Sequence, residues 1–234
     1  MSRQAELSQI KAISFDGDMT LWDFEAVMRH SLAYALQMLR TRVPGPASEA
    51  MTIDRMIALR DDVACELKSD SAKLEVIRLR AFERTVMTVG SDDPGLAEEL
   101  NTLYRAHRFE DIELYPDVIP VLDKLGPQYS LGLLSNGNGY PDRCGLPGRF
   151  AFVVFAQDVG VAKPDPAIFL TACRQAGCEP CELLHIGDSL EADVRGANGV
   201  GATSIWLNRD GVPNTSGIQP DYEIRSLLEI PGLL

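Results

Sequence analysis

The sequence predicts an α/β protein, a doubly wound parallel sheet whose first strand is followed by an inserted bundle of four helices. Three observations predict it. From Tyr115 onward, short apolar runs of strand length alternate with helical patterns, which implies a parallel sheet covered on both faces. A lone apolar strand, 10–15, precedes a long stretch in which apolar residues recur every three or four positions. Four compact polar clusters each follow one of the expected strands, where ligands bind in sheets of this kind.

The elements follow in order. The first strand ends in Asp16-Gly17-Asp18-Met19-Thr20. In the insertion, Phe24, Met28, Leu32, Leu36 and Leu39 lie at helical spacing. Ser48 is the expected cap of a second helix running towards Lys68. Asp70 is the expected cap of a third, with Leu74, Ile77 and Ala81 on one face. Asp93-Pro94 is the expected cap and first position of a fourth, with Leu96, Leu100, Leu103 and His107 along it. Val43-Pro44-Gly45-Pro46 and 90–93 read as turns, so the helices form an antiparallel bundle. Beyond it, strands are expected at 129–134, 152–156, 183–186 and 203–207. Helices are expected at 117–125, from Asp165-Pro166 to Gly177, at 190–197 and at 222–228. The expected division is a core of 1–21 with 114–234 and a helical domain of 22–113.

Composition narrows the function. The chain has 234 residues, with 34 acidic against 22 basic, for a formal net charge of −12. That balance argues against nucleic-acid backbones and anionic membranes as partners. Apolar runs such as 150–156 are too short to span a bilayer. The N-terminal segment has no apolar core of signal-peptide length, and the chain reads as cytoplasmic. Five cysteines without an export signal read as free thiols. Cys178, Cys181 and His185 form a C-x2-C-x3-H string, but no second pair stands near it and His185 sits in an apolar strand pattern, so zinc is not expected. Oligomeric state is left open.

The chemistry is in the clusters. Asp16 and Asp18 are two residues apart on an extended segment and so point to one side. Like charges there repel unless a cation lies between them or one holds a proton. The plain alternative is a polar strand end. Ser135-Asn136-Gly137 offers a hydroxyl and backbone N–H groups suited to a phosphoryl oxygen, in what is also an ordinary turn composition. Lys163 offers a compact positive charge. Gly187-Asp188-Ser189, with Asp193 five positions after Asp188, brings further carboxylates, for which helix capping is the plain role.

In order and spacing these four clusters resemble the motifs of the haloacid dehalogenase superfamily, over essentially the whole chain. The first is Asp16-Gly17-Asp18-Met19-Thr20, the second Ser135-Asn136, the third Lys163-Pro164, and the fourth Gly187-Asp188-Ser189 with Asp193. Met19 departs mildly from the Gly or small polar residue usual there. The resemblance implies a Rossmann-like core with a helical cap, and a hydrolase of small phosphorylated metabolites. It implies Asp16 as nucleophile and Asp18 as acid/base. Ser135, Lys163 and backbone N–H groups near Asp18 and Asn136 would stabilise the transferring oxygens. Mg²⁺ would be held by Asp16, Asp188 and the Asp18 backbone carbonyl. Asp193 would hold Lys163 or a metal-bound water, and Thr20 would brace the turn or support the phosphate. The cap would act as a lid hinged at Trp22-Asp23 and 112–115, with Arg29, His30, Arg60 and Lys68 as candidates for an anionic leaving group.

Three other readings stand beside this one. A phosphotransferase or mutase would use the same aspartyl-phosphate. A metal-independent 2-haloacid dehalogenase would use Asp16 without needing an acid at position 18. A non-catalytic binding module would have kept the fold alone.

Overall fold

The computed structural model describes residues 7–67, 74–110 and 112–234. The chain divides into two compact units, 1–23 with 113–234, and 24–112. The first unit is built on a six-stranded sheet in the order β3-β2-β1-β4-β5-β6, with every neighbouring pair parallel. Its strands are β1 Ala12–Phe15, β2 Ser130–Ser135, β3 Phe152–Phe155, β4 Leu183–Gly187, β5 Thr203–Leu207 and β6 Tyr222–Ile224. β1 and β4 are buried along their whole length, which is why they read as near-continuous apolar runs rather than alternating ones.

Topology sets the site. From β1 the chain builds outward to β2 and β3, then returns to the other side of β1 for β4, β5 and β6. β1 therefore marks the point where the strand order reverses, and ligands bind beyond the carboxyl ends there. The register brings three of those ends level, since Phe15 pairs with both Leu133 and Ile186.

The second unit is helical: α1 Phe24–Arg42, α2 Pro46–Ala50, α3 Ile53–Glu66, α4 Leu74–Thr88 and α5 Leu96–Glu110. α1 packs on α5 and α3 on α4. Their apolar faces close a core that includes Leu32, Leu39, Leu59, Phe82, Leu96 and Leu100.

Several expected boundaries are corrected. The helix expected from Ser48 is two helices, because Thr52, not Ser48, caps α3 by accepting from the Arg55 N–H. The Ser48 hydroxyl instead donates back to the Val43 and Gly45 carbonyls and tightens the preceding turn. α5 begins two residues past Pro94, and the Asp93 carboxylate accepts from Gly95 N–H. Asp70, expected as a cap, lies outside the described residues. In the first unit α6 is Val118–Leu125 and α8 is Pro166–Ala176, with the short α7 Ala156–Val159 between them. Asp165 caps α8 and Gly177 ends it in the left-handed region. The segment expected at 190–197 is a π-helical turn, Leu190–Val194, followed by α9 Arg195–Val200. The helix expected at 222–228 is wrong. Tyr222–Ile224 is the edge strand β6, drawn out by pairing with β5, and the chain ends in α10 Ile230–Leu233.

Candidate active site

Lys163 joins the clusters. The Asn136 side chain, just past β2, fixes its backbone: Asn136 Nδ2 donates to the Lys163 carbonyl at 3.0 Å, and Lys163 N–H donates to Asn136 Oδ1 at 2.7 Å. The following Lys163-Pro164 bond is cis. So placed, the ammonium donates to Asp16 Oδ1 at 2.6 Å, Asp193 Oδ1 at 2.7 Å and the Leu134 carbonyl at 2.8 Å. All three side chains are buried.

Asp193 reaches this point because its π-helical turn starts directly beyond β4. Ser189 caps that turn, and Ser189 N–H donates to Asp193 Oδ2 at 2.9 Å. Gly187 is required here, since a Cβ at that position would collide with the Asp193 carboxyl. Asp193 Oδ1 takes a second hydrogen bond, from His185 Nε2 at 3.0 Å. Burial pulls the His185 imidazole below its ordinary range, so the ring is neutral. With Nε2–H donating to a carboxylate, Nδ1 accepts from the Ser14 hydroxyl at 2.8 Å, across the Ser14/His185 register pair.

One ammonium thus serves two carboxylates, and they differ. Burial pushes Asp193 up, but the Lys163 charge and the His185 N–H outweigh it and hold the carboxyl below its usual range. Among the described residues Asp16 has no second donor of that kind. Burial outweighs the help from Lys163, Asp193, Asp188 and Asp18 add repulsion, and its pKa lies well above the ordinary value. Asp188 is pushed up to about 6 by burial and by Asp193.

The carboxylates here outnumber the one ammonium among them, an arrangement that could hold a cation. Among the described residues, one group of three or more His, Cys, Asp or Glu side chains is close enough to share an ion: Asp16, Asp188 and Asp193, with ligand atoms within 4.8 Å of one another. Asp193 already spends Oδ1 on Lys163 and His185 and Oδ2 on Ser189. That makes Asp16 and Asp188 the better donors, and their hard carboxylate oxygens fit a divalent cation such as Mg²⁺. The Asp18 carboxyl lies outside this group and accepts from Trp22 Nε1 at 2.7 Å. Both ring nitrogens of His185 are engaged away from Cys178 and Cys181.

The remaining expected residues are placed as follows. Ser135 is buried, and its hydroxyl accepts from Gly137 N–H at 3.0 Å, leaving its own proton to donate. The Asn136 side chain is spent on Lys163. Thr20 braces the turn only through its backbone, whose carbonyl accepts from Arg209 at 2.9 Å. Its hydroxyl is fully buried without a partner. Thr20→Val is therefore expected to leave stability unchanged or raise it by about 1 kcal/mol, because it removes an unsatisfied buried group. Equilibrium denaturation checks this, and a clear loss of stability would mean that the hydroxyl has a partner after all.

Sequence reasoning named Trp22 only as a hinge and His185 only in a rejected zinc string, and it missed Ser14. The legible signal was a polar residue inside each of two apolar strands that end level with one another. In the helical unit, Arg29 is tied to Glu25 and Asp54, and Arg60 to Asp61 and the Met28 sulfur. His30 meets Tyr34 edge-on, and Lys68 lies outside the described residues. Arg78, not singled out from sequence, is pushed down to about 10 by burial and by Arg108.

The haloacid dehalogenase-like hydrolase family model matches residues 10–201, a span that holds every residue of the site. The chain belongs to that family. N-acylneuraminate-9-phosphatase of Rattus norvegicus is 30% identical over 97% of this chain and 95% of its own length. Glyceraldehyde 3-phosphate phosphatase of Methanopyrus kandleri is 29% identical over 94% and 97%. The crystal structure of a 2-haloacid dehalogenase from Pseudomonas syringae superposes with a TM-score of 0.81 at 31% identity, covering 96% of this chain and 97% of that one. As expected for a haloacid dehalogenase-like hydrolase, the core is a parallel α/β sheet with flanking helices. Among the described residues no helix is long and apolar enough to cross a membrane.

Proposed function

We propose that this protein is a Mg²⁺-dependent hydrolase of small phosphate monoesters that works through an aspartyl-phosphate on Asp16. The observation that carries the reading is Asp18. A second acid stands beside the Asp16/Lys163 pair, with its Oδ2 next to the Ser135-Gly137 turn. Halide displacement by a carboxylate needs no such acid, whereas an alkoxide leaving from phosphorus needs a proton.

Asp16 attacks phosphorus, the phosphorus–ester oxygen bond breaks, and the leaving oxygen takes its proton from Asp18. Asp18, now ionised, takes a proton from a water whose oxygen attacks the same phosphorus. The bond to Asp16 breaks and phosphate leaves. Lys163 holds Asp16 in position and neutralises charge beside it, while the Ser135 hydroxyl donates to a non-bridging oxygen. Mg²⁺ bound at Asp16 and Asp188 would supply the positive charge that lets a carboxylate approach a phosphate dianion. A reducing, cytoplasmic setting suits five free cysteines. The similar proteins named for acylneuraminate 9-phosphate and glyceraldehyde 3-phosphate support a small phosphorylated metabolite as substrate.

The similarity to a protein titled 2-haloacid dehalogenase favours one rival, halide release. One experiment separates the two. Purified protein is given a panel of phosphate monoesters and of 2-haloacids, with Mg²⁺ or with a chelator, and phosphate and halide are measured. Phosphate release lost on chelation is expected. Halide release that survives chelation would overturn the proposal.

A further inference from the structure

Trp22 donates its indole N–H to the Asp18 carboxyl, and it is fully buried. Its position is prepared by the backbone. A Cβ on Gly17 or on Gly139 would lie 2.7 Å from the indole Cζ2, so these two glycines form a slot that admits the ring. The chain returns to hold the same residue: Met19 N–H donates to the Trp22 carbonyl at 2.8 Å, and Trp22 bridges to Leu114. Met19 accommodates the loop by adopting φ 64, in the left-handed region where a non-glycine residue is uncommon. That is where the mild departure in the sequence motif has a structural consequence.

Chemistry gives the contact a direction. An indole N–H can only donate. Trp22 Nε1 lies 2.7 Å from Asp18 Oδ1, so Oδ1 is an acceptor in both protonation states. In a neutral carboxyl, the oxygen that accepts best is the carbonyl oxygen, and the proton then belongs on the other one. Oδ2 is that oxygen. It faces the Ser135-Gly137 turn, where a Cβ on Gly137 would come within 2.6 Å of it and 3.3 Å of the Ser135 hydroxyl.

We propose that Trp22 is a positioning residue that assigns the two oxygens of Asp18 separate tasks, holding Oδ1 as a fixed acceptor so that Oδ2 delivers and recovers the proton. The inference rests on the reading of Asp18 as acid/base in phosphate-ester cleavage. Without the indole N–H, Oδ1 loses the donor that marks it as the acceptor, and the proton is no longer directed to the oxygen that faces the turn.

Leaving-group dependence tests this. Aryl and alkyl phosphates of graded leaving-group basicity are compared by kcat/KM, with Mg²⁺, in wild type, Trp22→Phe and Asp18→Asn. Poor leaving groups need the proton and good ones do not, so Trp22→Phe is expected to lose roughly 10- to 100-fold on alkyl phosphates and no more than about threefold on p-nitrophenyl phosphate. Asp18→Asn should show the same tilt, more steeply. A loss of equal size across the series, or no loss, in Trp22→Phe would overturn the proposal. If Asp18→Asn itself shows no tilt, the acid/base reading fails independently of Trp22. Should Trp22→Phe not fold, Gly139→Ala decides by the same criterion. It keeps the N–H and displaces the ring, at a position whose φ is not in the left-handed region.

Discussion

Asp16→Asn is expected to abolish turnover and, in the metal-free protein, to raise stability. On the first count, an amide oxygen is a poor nucleophile towards phosphorus, and removing a catalytic nucleophile costs on the order of 10⁴-fold or more. On the second, the structure places Asp16 among Asp188, Asp193 and Asp18 with one shared ammonium, and its raised pKa records the burial and repulsion that result. Asparagine is uncharged, keeps an oxygen that can accept from Lys163, and leaves Asp193 with the ammonium to itself. A gain of roughly 1 kcal/mol is the expected scale, of the kind found where function requires a strained site. Phosphate release and denaturant unfolding without metal read the two effects separately. Near-wild-type turnover would remove Asp16 as nucleophile. A marked loss of stability would mean that the Asp16 carboxylate is a net stabilising partner of Lys163.

The same crowding explains which parts of the site could be read from sequence. Asp16, Asp18, Ser135, Asp188 and Asp193 could be found because each lies at or just past the end of an apolar strand or in the first turn beyond it, and Lys163 because it stands shortly before the Asp165-Pro166 helix start, positions that short-range patterns mark. What held them could not. The Ser14–His185 pair depends on β1 and β4 being neighbours in register, although the residues are far apart in the chain. Asn136 reads as a turn residue, yet its side chain is spent on fixing the Lys163 backbone. Thr20 reads as a hydroxyl with a task, and its hydroxyl has no partner. The fold shows the same division. Strands buried on both faces announced themselves by composition, whereas β6 could not, because Tyr222–Ile224 is extended only by virtue of pairing with β5. Ser48 and Thr52 are both competent caps, and which one starts a helix is decided by where the turn after α1 closes.

Lys163→Met is the substitution expected to cost most stability. Methionine keeps much of the apolar stem and removes the charge that Asp16, Asp193 and the Leu134 carbonyl share. Breaking a buried pair by deleting one partner costs about 3–5 kcal/mol, because a desolvated charge is left behind. The pH dependence identifies the cause. In wild type, the Lys163 pKa is raised, so its contribution is fully present below the ordinary lysine value of about 10.4 and is lost as pH rises through the raised one. The Asp193 pKa is depressed, so its contribution is present above about 3.9 and is lost as pH falls through the lowered value. Neither group therefore titrates in the folded protein between pH 5 and 8. In the variant the ammonium is gone and burial and mutual repulsion push Asp193 and Asp16 up relative to wild type, whereas Asp188, near 6 in the wild type, titrates in both proteins and drops out of the comparison. A folded state that binds protons more readily than the unfolded chain gains stability as pH falls. The deficit of Lys163→Met relative to wild type is thus expected to be largest near pH 8 and to shrink by at least about 1 kcal/mol by pH 5.5. Added Mg²⁺ should narrow it at pH 8 by supplying charge to the same oxygens. Unfolding curves at the two pH values, with and without the ion, provide the measurement. A deficit of the same size at both pH values would mean that Lys163 stabilises by packing and not by its charge.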